Sequence, residues 1–178
     1  MSILKVARMG HPILRAKARA LGPEEIKTAD AQRLIDDLLE TMSEYHGVGL
    51  AATQVHQGVR LFVAALDAGE HEHGGEPIVL INPEITPLTT EIVEDWEGCL
   101  SIPDIRGRVP RARKIKVRAY DRQGERIEIE AQDFPARVIQ HETDHLDGVL
   151  FVDRMKSFES LTFLDEYSRY WARPDSED

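Results

Sequence analysis

His141-Glu142-Thr143-Asp144-His145 sets two imidazoles four residues apart, with a carboxylate beside the first. On a helix, residues i and i+4 lie one above the other, so His141 and His145 can reach one metal ion. Glu142 then stands next to that ion as a base. The single cysteine, Cys99, sits in Glu97-Gly98-Cys99-Leu100-Ser101 and is the candidate third ligand. A His2Cys set leaves a fourth position for water, the mark of a catalytic rather than a closed structural site. A cation there can bring the pKa of its water to about 7, and a thiolate ligand suits softer ions such as Fe²⁺ or Zn²⁺. Glu97 is a candidate hydrogen-bond acceptor behind a ligand, and Gly98 lets backbone approach closely. Gln54 closes the segment Gly47-Val48-Gly49-Leu50-Ala51-Ala52-Thr53-Gln54. Its amide is a candidate donor to an oxygen that gains charge when a carbonyl is attacked.

Each feature has a plainer alternative. An HExxH match also fits an amphipathic helix with core or surface histidines. A lone cysteine is commonly a small buried apolar residue, and a loop amide commonly binds backbone. The neighbours favour chemistry. Val138, Glu142 and Leu146 form the row adjacent to His141 and His145. Such an apolar wall partly desolvates the base and raises its pKa toward working pH. His71 and His73 flank Glu72 in a glycine-rich loop and read as solvated; His46 and His56 read as surface or capping residues.

The elements that must position these groups show in the periodicity. Leu34, Ile35, Leu38, Leu39 and Met42 recur at helical spacing within residues 29–45, and Gly47 is placed to end that helix in a left-handed turn. Gly22-Pro23 separates it from an extended N-terminal arm. Residues 60–66 and 78–81 read as strands joined by a loop over 67–75. Pro83 and Pro87 punctuate an extended region leading to Trp96 and Cys99. Ile115, Val117 and Ala119 alternate with Lys114, Lys116 and Arg118, and a turn at Gln123-Gly124 leads to a second alternating run, so a hairpin is expected. Helical pattern returns over 134–146, stopped by Gly148. A short apolar run, 149–152, and an amphipathic helix near 157–170 complete the chain. The expected fold is α+β: antiparallel or mixed sheets packed around a central HExxH helix, with an N-terminal and a C-terminal helix, in one domain over residues 1–178.

At 178 residues, 42% hydrophobic and 30% charged, the chain reads as an ordinary soluble globule. A net charge of −10 argues against DNA, whose phosphates call for clustered cations. The basic stretch from Arg106 to Arg118 reads mainly as a solvated strand face, with one or two arginines left over to hold substrate or active-site loops. No apolar run approaches a membrane span, the start lacks a secretory pattern, and one cysteine forms no intrachain disulfide. A cytoplasmic bacterial enzyme, monomeric by default, is the expectation.

Together these segments resemble the peptide deformylases, metal hydrolases that remove the formyl group from the N-terminus of new bacterial polypeptides. The family pattern is a glycine-rich segment ending in Gln, then Glu-Gly-Cys-hydrophobic-Ser, then Gln-His-Glu-x-x-Asp-His-Leu, and all three occur here in order. The likeness extends to Gly10-His11-Pro12-Ile13-Leu14-Arg15 and Leu150-Phe151-Val152-Asp153-Arg154-Met155. Thr143 departs from an often apolar position and puts nothing catalytic in doubt. The resemblance implies that Cys99, His141 and His145 bind one divalent ion per chain. Iron(II) is the usual one, with zinc, nickel or cobalt taking its place in preparations. It implies Glu142 as the base and acid for the attacking water and departing amine, and Gln54 with the Leu100 N–H as donors to the oxyanion. Gly49 and Gly98 would pair with substrate backbone, Val48, Leu50 and Val138 would wall a methionine pocket, and Arg106 would reach the peptide beyond it. The partners implied are N-formylmethionyl nascent peptides, with a transient ribosome contact through the terminal helix or basic stretch. A zinc peptidase cutting internal amides, a protein with a purely structural metal, and a hydrolase using Cys99 as nucleophile are the rival readings.

Overall fold

The computed structural model describes residues 2–66 and 76–172; the expected loop over 67–75, with His71 and His73, lies outside them. A short α1 (Pro23–Ile26) precedes α2 (Ala29–Glu44), whose first turn is capped by the Thr28 hydroxyl accepting from the Ala31 N–H at 3.3 Å. Ile35, Leu38 and Met42 form its buried stripe, with Leu34 and Leu39 half-buried at the edges. Its end differs from expectation. His46, not Gly47, takes the left-handed conformation (φ 53°). Gly47 answers a different demand, since a Cβ there would meet Leu100 Cδ1 at 2.9 Å.

Among the described residues eight strands follow, β1 (Gly49–Ala51), β2 (Leu61–Ala64), β3 (Ile78–Pro87), β4 (Ile92–Cys99), β5 (Ile102–Ala112), β6 (Lys114–Tyr120), β7 (Arg126–Gln132) and β8 (Thr162–Phe163). They make a five-stranded sheet in the order β1-β2-β3-β6-β7 and a three-stranded sheet in the order β4-β5-β8, every pair antiparallel. β3 runs past the expected Ile81 because the ladder breaks at Asn82 (φ 51°) and resumes at Glu84, so Pro83 sits where no ladder bond is required. The β6–β7 hairpin forms as expected, with Ile115, Val117 and Ala119 buried and Lys114, Lys116 and Arg118 paired with Glu128 or Glu130 on the wet face.

The HExxH motif lies on α3 (Asp133–Leu146), which ends before Gly148 (φ 73°). Period two puts α2 and α3 on opposite faces of the larger sheet. Leu50, Leu61 and Val63 pack with Ile35, Leu38 and Met42 of α2, while Ala51, Phe62 and Ala64 pack with Val138, Ile139 and Leu146 of α3. A third cluster, including Leu14, Ile102, Val109 and Phe151, joins β5 to the N-terminal segment and to α4 (Phe151–Arg154).

The amphipathic helix expected over 157–170 is broken. A 3₁₀ turn (Phe158–Ser160) leads into β8, which pairs with β5 at Ile105 and Arg106, and only then does α5 (Leu164–Tyr170) begin. The free edge of β5 offers ladder bonds that helix continuation would forgo, and α5 has no fully buried residue. Among the described residues no helix is long and apolar enough to cross a membrane.

Candidate active site

Arg137, His141 and His145 lie in one row of α3, and that row faces the end of β4. There the β4–β5 ladder shifts register between Glu97 and Cys99, turning the thiol toward the helix. Cys99 Sγ is 3.2 Å from His145 Nε2, and the ligand atoms of Cys99, His141 and His145 all lie within 4.8 Å of one another. Burial opposes ionisation of the Cys99 thiol, yet the imidazoles of His145 and His141 outweigh it and hold its pKa well below the ordinary value. A thiolate is the form that binds metal.

Glu97 orients the first candidate ligand. Its Oε2 lies 2.8 Å from His141 Nδ1, which leaves Nε2 for the centre. Burial works against ionisation of Glu97, but bonds to His141 and Arg111 keep its carboxyl far below the usual range. Arg111 grips it through two bonds of 2.9 and 3.0 Å, and Arg137 adds a third of 2.8 Å. Arg111 continues to Asp144 at 2.5 Å, and Asp144 to the half-exposed Arg154 at 2.7 Å. The expectation of a solvated basic face therefore holds for Lys114 to Arg118 and fails at Arg111, which is 5% exposed. The minority expectation, an arginine holding the site together, describes it.

Glu142 is buried beside these candidate ligands. Burial pushes its carboxyl up to about 6, the neighbouring imidazoles only partly offsetting this. Among the described residues its Oε2 has no hydrogen-bond partner, although the atom is inaccessible. Gly49 faces it so closely that a Cβ would meet Oε1 at 2.3 Å. On the other side, Gln54 ends β1's extension in a 3₁₀ turn (Ala52–Val55), its Oε1 accepting from the Ala51 N–H at 2.8 Å. That fixes the Nε2 donors toward Ser101 Oγ (3.1 Å) and Cys99 Sγ (3.6 Å).

A cavity of about 770 Å³ opens over these groups. Val48, Val138, Gly98, Leu100 and Arg106 line it, and the Arg106 guanidinium lies against the Gly98 backbone. Leu50 is a correction. Its side chain is fully buried against α2 and does not line the cavity, because strand alternation aims Gly49 and Ala51 at α3 and Leu50 the opposite way. Tyr45, Trp96, Phe134 and Leu164 supply apolar wall that the sequence reading did not include. It also missed Arg137, which carried a signal, standing one helical turn before His141, and it did not single out Arg111 from its basic stretch, since Arg111's partners lie on other elements. His46 and His56 hold left-handed positions (φ 53° and 67°) after helical turns, the capping role expected.

The family model described as polypeptide deformylase matches residues 3–160. The chain belongs to the polypeptide deformylase family. That membership makes it an enzyme, a hydrolase, rather than a binding or purely structural protein. Peptide deformylase 2 of Nostoc sp. is 46% identical over 168 residues, covering 93% of each chain. A ligand-bound class I type b peptide deformylase from Acinetobacter baumannii superposes with a TM-score of 0.82 at 40% identity, covering 87% of this chain and 100% of that one. The same enzyme bound to Met-Ala-Ser gives a TM-score of 0.80 at 39% identity, over 86% and 99% of the two chains.

Proposed function

We propose that this chain removes the N-formyl group from peptides that begin with formylmethionine, releasing formate. One observation carries the reading. A buried carboxylate oxygen of Glu142, unpartnered, stands beside three converging ligand atoms at the floor of an open cavity. Family membership and a relative bound to a methionine-led peptide support it.

Cys99, His141 and His145 would hold a divalent ion, iron(II) in our reading, with zinc, nickel or cobalt as substitutes. The donor set fits, since two neutral nitrogens and a thiolate leave coordination free for solvent or substrate. When bound, that ion acidifies water and polarises a carbonyl oxygen. Glu142 takes the proton from the attacking water and hands it to the departing amine; its pKa of about 6 suits both transfers. Gln54 Nε2, held by the Ala51 contact, and the Leu100 N–H donate to the oxygen that becomes charged. The peptide lies as an added strand between Gly49 and Gly98, the methionine side chain against Val48 and Val138, with Arg106 beyond it.

The test is formate release from formyl-Met-Ala-Ser by anaerobically purified protein of measured metal content. Glu142→Gln should keep the metal and lose about 10²–10⁴ in rate. An unchanged rate in that variant would refute the assignment. Turnover that survives chelation would point instead to Cys99 as nucleophile.

A further inference from the structure

The cavity mouth has a charge opposite to that of the molecule. The chain carries −10 overall, yet Lys5, Arg8 and Arg106 all line the cleft. Most of the protein's arginines are paired with carboxylates; among the described residues these three cations form no ion pair. Arg106 donates only to the carbonyl of its neighbour Ile105, at 3.1 Å. Their placement is built in. The N-terminal arm is pinned across the site by the Ala7 N–H to Gln54 O (2.7 Å) and the Met9 N–H to Ser101 O (2.8 Å). Ala7 is buried under the arm, while Lys5 and Arg8 stay exposed over the cleft. Arg106 stands on β5 against Gly98. The carboxylates lining the cavity are Glu97 and Glu142, both buried, and exposed Asp104. Glu97 is already neutralised by Arg111 and Arg137, which leaves Glu142 at the buried floor and Asp104 at the exposed mouth against these three cations.

We infer that this cleft selects formyl-Met peptides carrying acidic side chains in the positions just after methionine, with Lys5 and Arg8 as specificity-determining residues and Arg106 as their counterpart across the cleft. The inference rests on the deformylase reading and extends it to the substrate class. Charges interact strongly only within a Debye length, about 8 Å at physiological salt. The local cations, not the distant negative surface, therefore set the potential felt by a side chain inside the mouth. A lysine at the same position would meet like charge.

The experiment compares kcat/KM for formyl-Met-Ala-Glu, formyl-Met-Ala-Gln and formyl-Met-Ala-Lys at low and high salt, using the full-length, metal-loaded protein. The expected order is Glu, then Gln, then Lys, with the Glu-to-Lys ratio about tenfold at low salt and shrinking as salt rises. Arg8→Glu and Lys5→Glu should each cut the ratio about fivefold, and Arg8→Lys should retain it. A fold defect would lower all three rates together and leave the ratio unmoved, so the ratio reads charge alone. Equal rates for the three peptides, or a preference for lysine, would overturn the charge preference while leaving deformylation standing. Failure to deformylate any of them would overturn the deformylase reading and this inference with it.

Discussion

A methyl group at position 49 would lie 2.3 Å from the Glu142 carboxylate, so that glycine sets how near this proposed base can stand to β1. Gly49→Ala must push Glu142 aside, and misplacement of a reacting group by an ångström can cost about 10² in rate. We expect kcat to fall by that order with metal content unchanged, checked by parallel kinetics and metal analysis. Glu97 is the other sensitive residue. Its carboxylate binds His141, Arg111 and Arg137 at once. Glu97→Gln leaves two buried guanidinium groups short of a counter-charge and frees the His141 ring. Chelator competition should show metal binding weakened about 10–100-fold. Urea unfolding should show a loss of about 3–5 kcal/mol. The convergence of His141 and His145 was legible at this scale, because the two are related by the helix repeat alone. The partners of Glu97 were not, because nothing local to Arg111 records that β4 and α3 close around it.

The elements were read best where one period rules them. α2, β6, β7 and α3 all follow their apolar repeat, and their ends are testable. Thr28→Ala removes the α2 cap and should cost about 1 kcal/mol. Gly148→Ala should cost more than that, since its φ of 73° is strained for alanine and the new Cβ would meet Arg15 O at 2.5 Å. Denaturant unfolding of the two variants would check that order. Sequence pattern failed where two periods compete. Residues 157–170 carry helical spacing, yet the unpaired edge of β5 recruits Thr162 and Phe163 as a strand. Leu50 misled for a related reason, since hydrophobic character marks a residue as inward-facing without saying which of two interiors it faces.

At the scale of the molecule, the candidate site joins parts that are far apart in the chain. Cys99 comes from the smaller sheet, the histidines from the helix packed on the larger one, and Gln54 from the turn after β1. A cation held by Cys99, His141 and His145 therefore ties the two sheets together, and its binding energy adds to folding. At a thousandfold excess over the dissociation constant this amounts to about 4 kcal/mol. Chelation should lower Tm, and re-addition of Zn²⁺ should restore it; a Tm indifferent to chelator would mean the ion does not bridge the halves. Local chemistry and repeat length were enough to indicate, from the chain alone, an α+β hydrolase and its candidate ligands, base and amide donor, since these depend on residue type and on spacing within single elements. Tertiary structure alone decided the rest: the buried Glu97–Arg111–Asp144 linkage, the face that Leu50 takes, the cations gathered at the cleft mouth. Those depend on which surfaces meet, and that is settled by packing between segments whose separation along the chain carries no periodic trace.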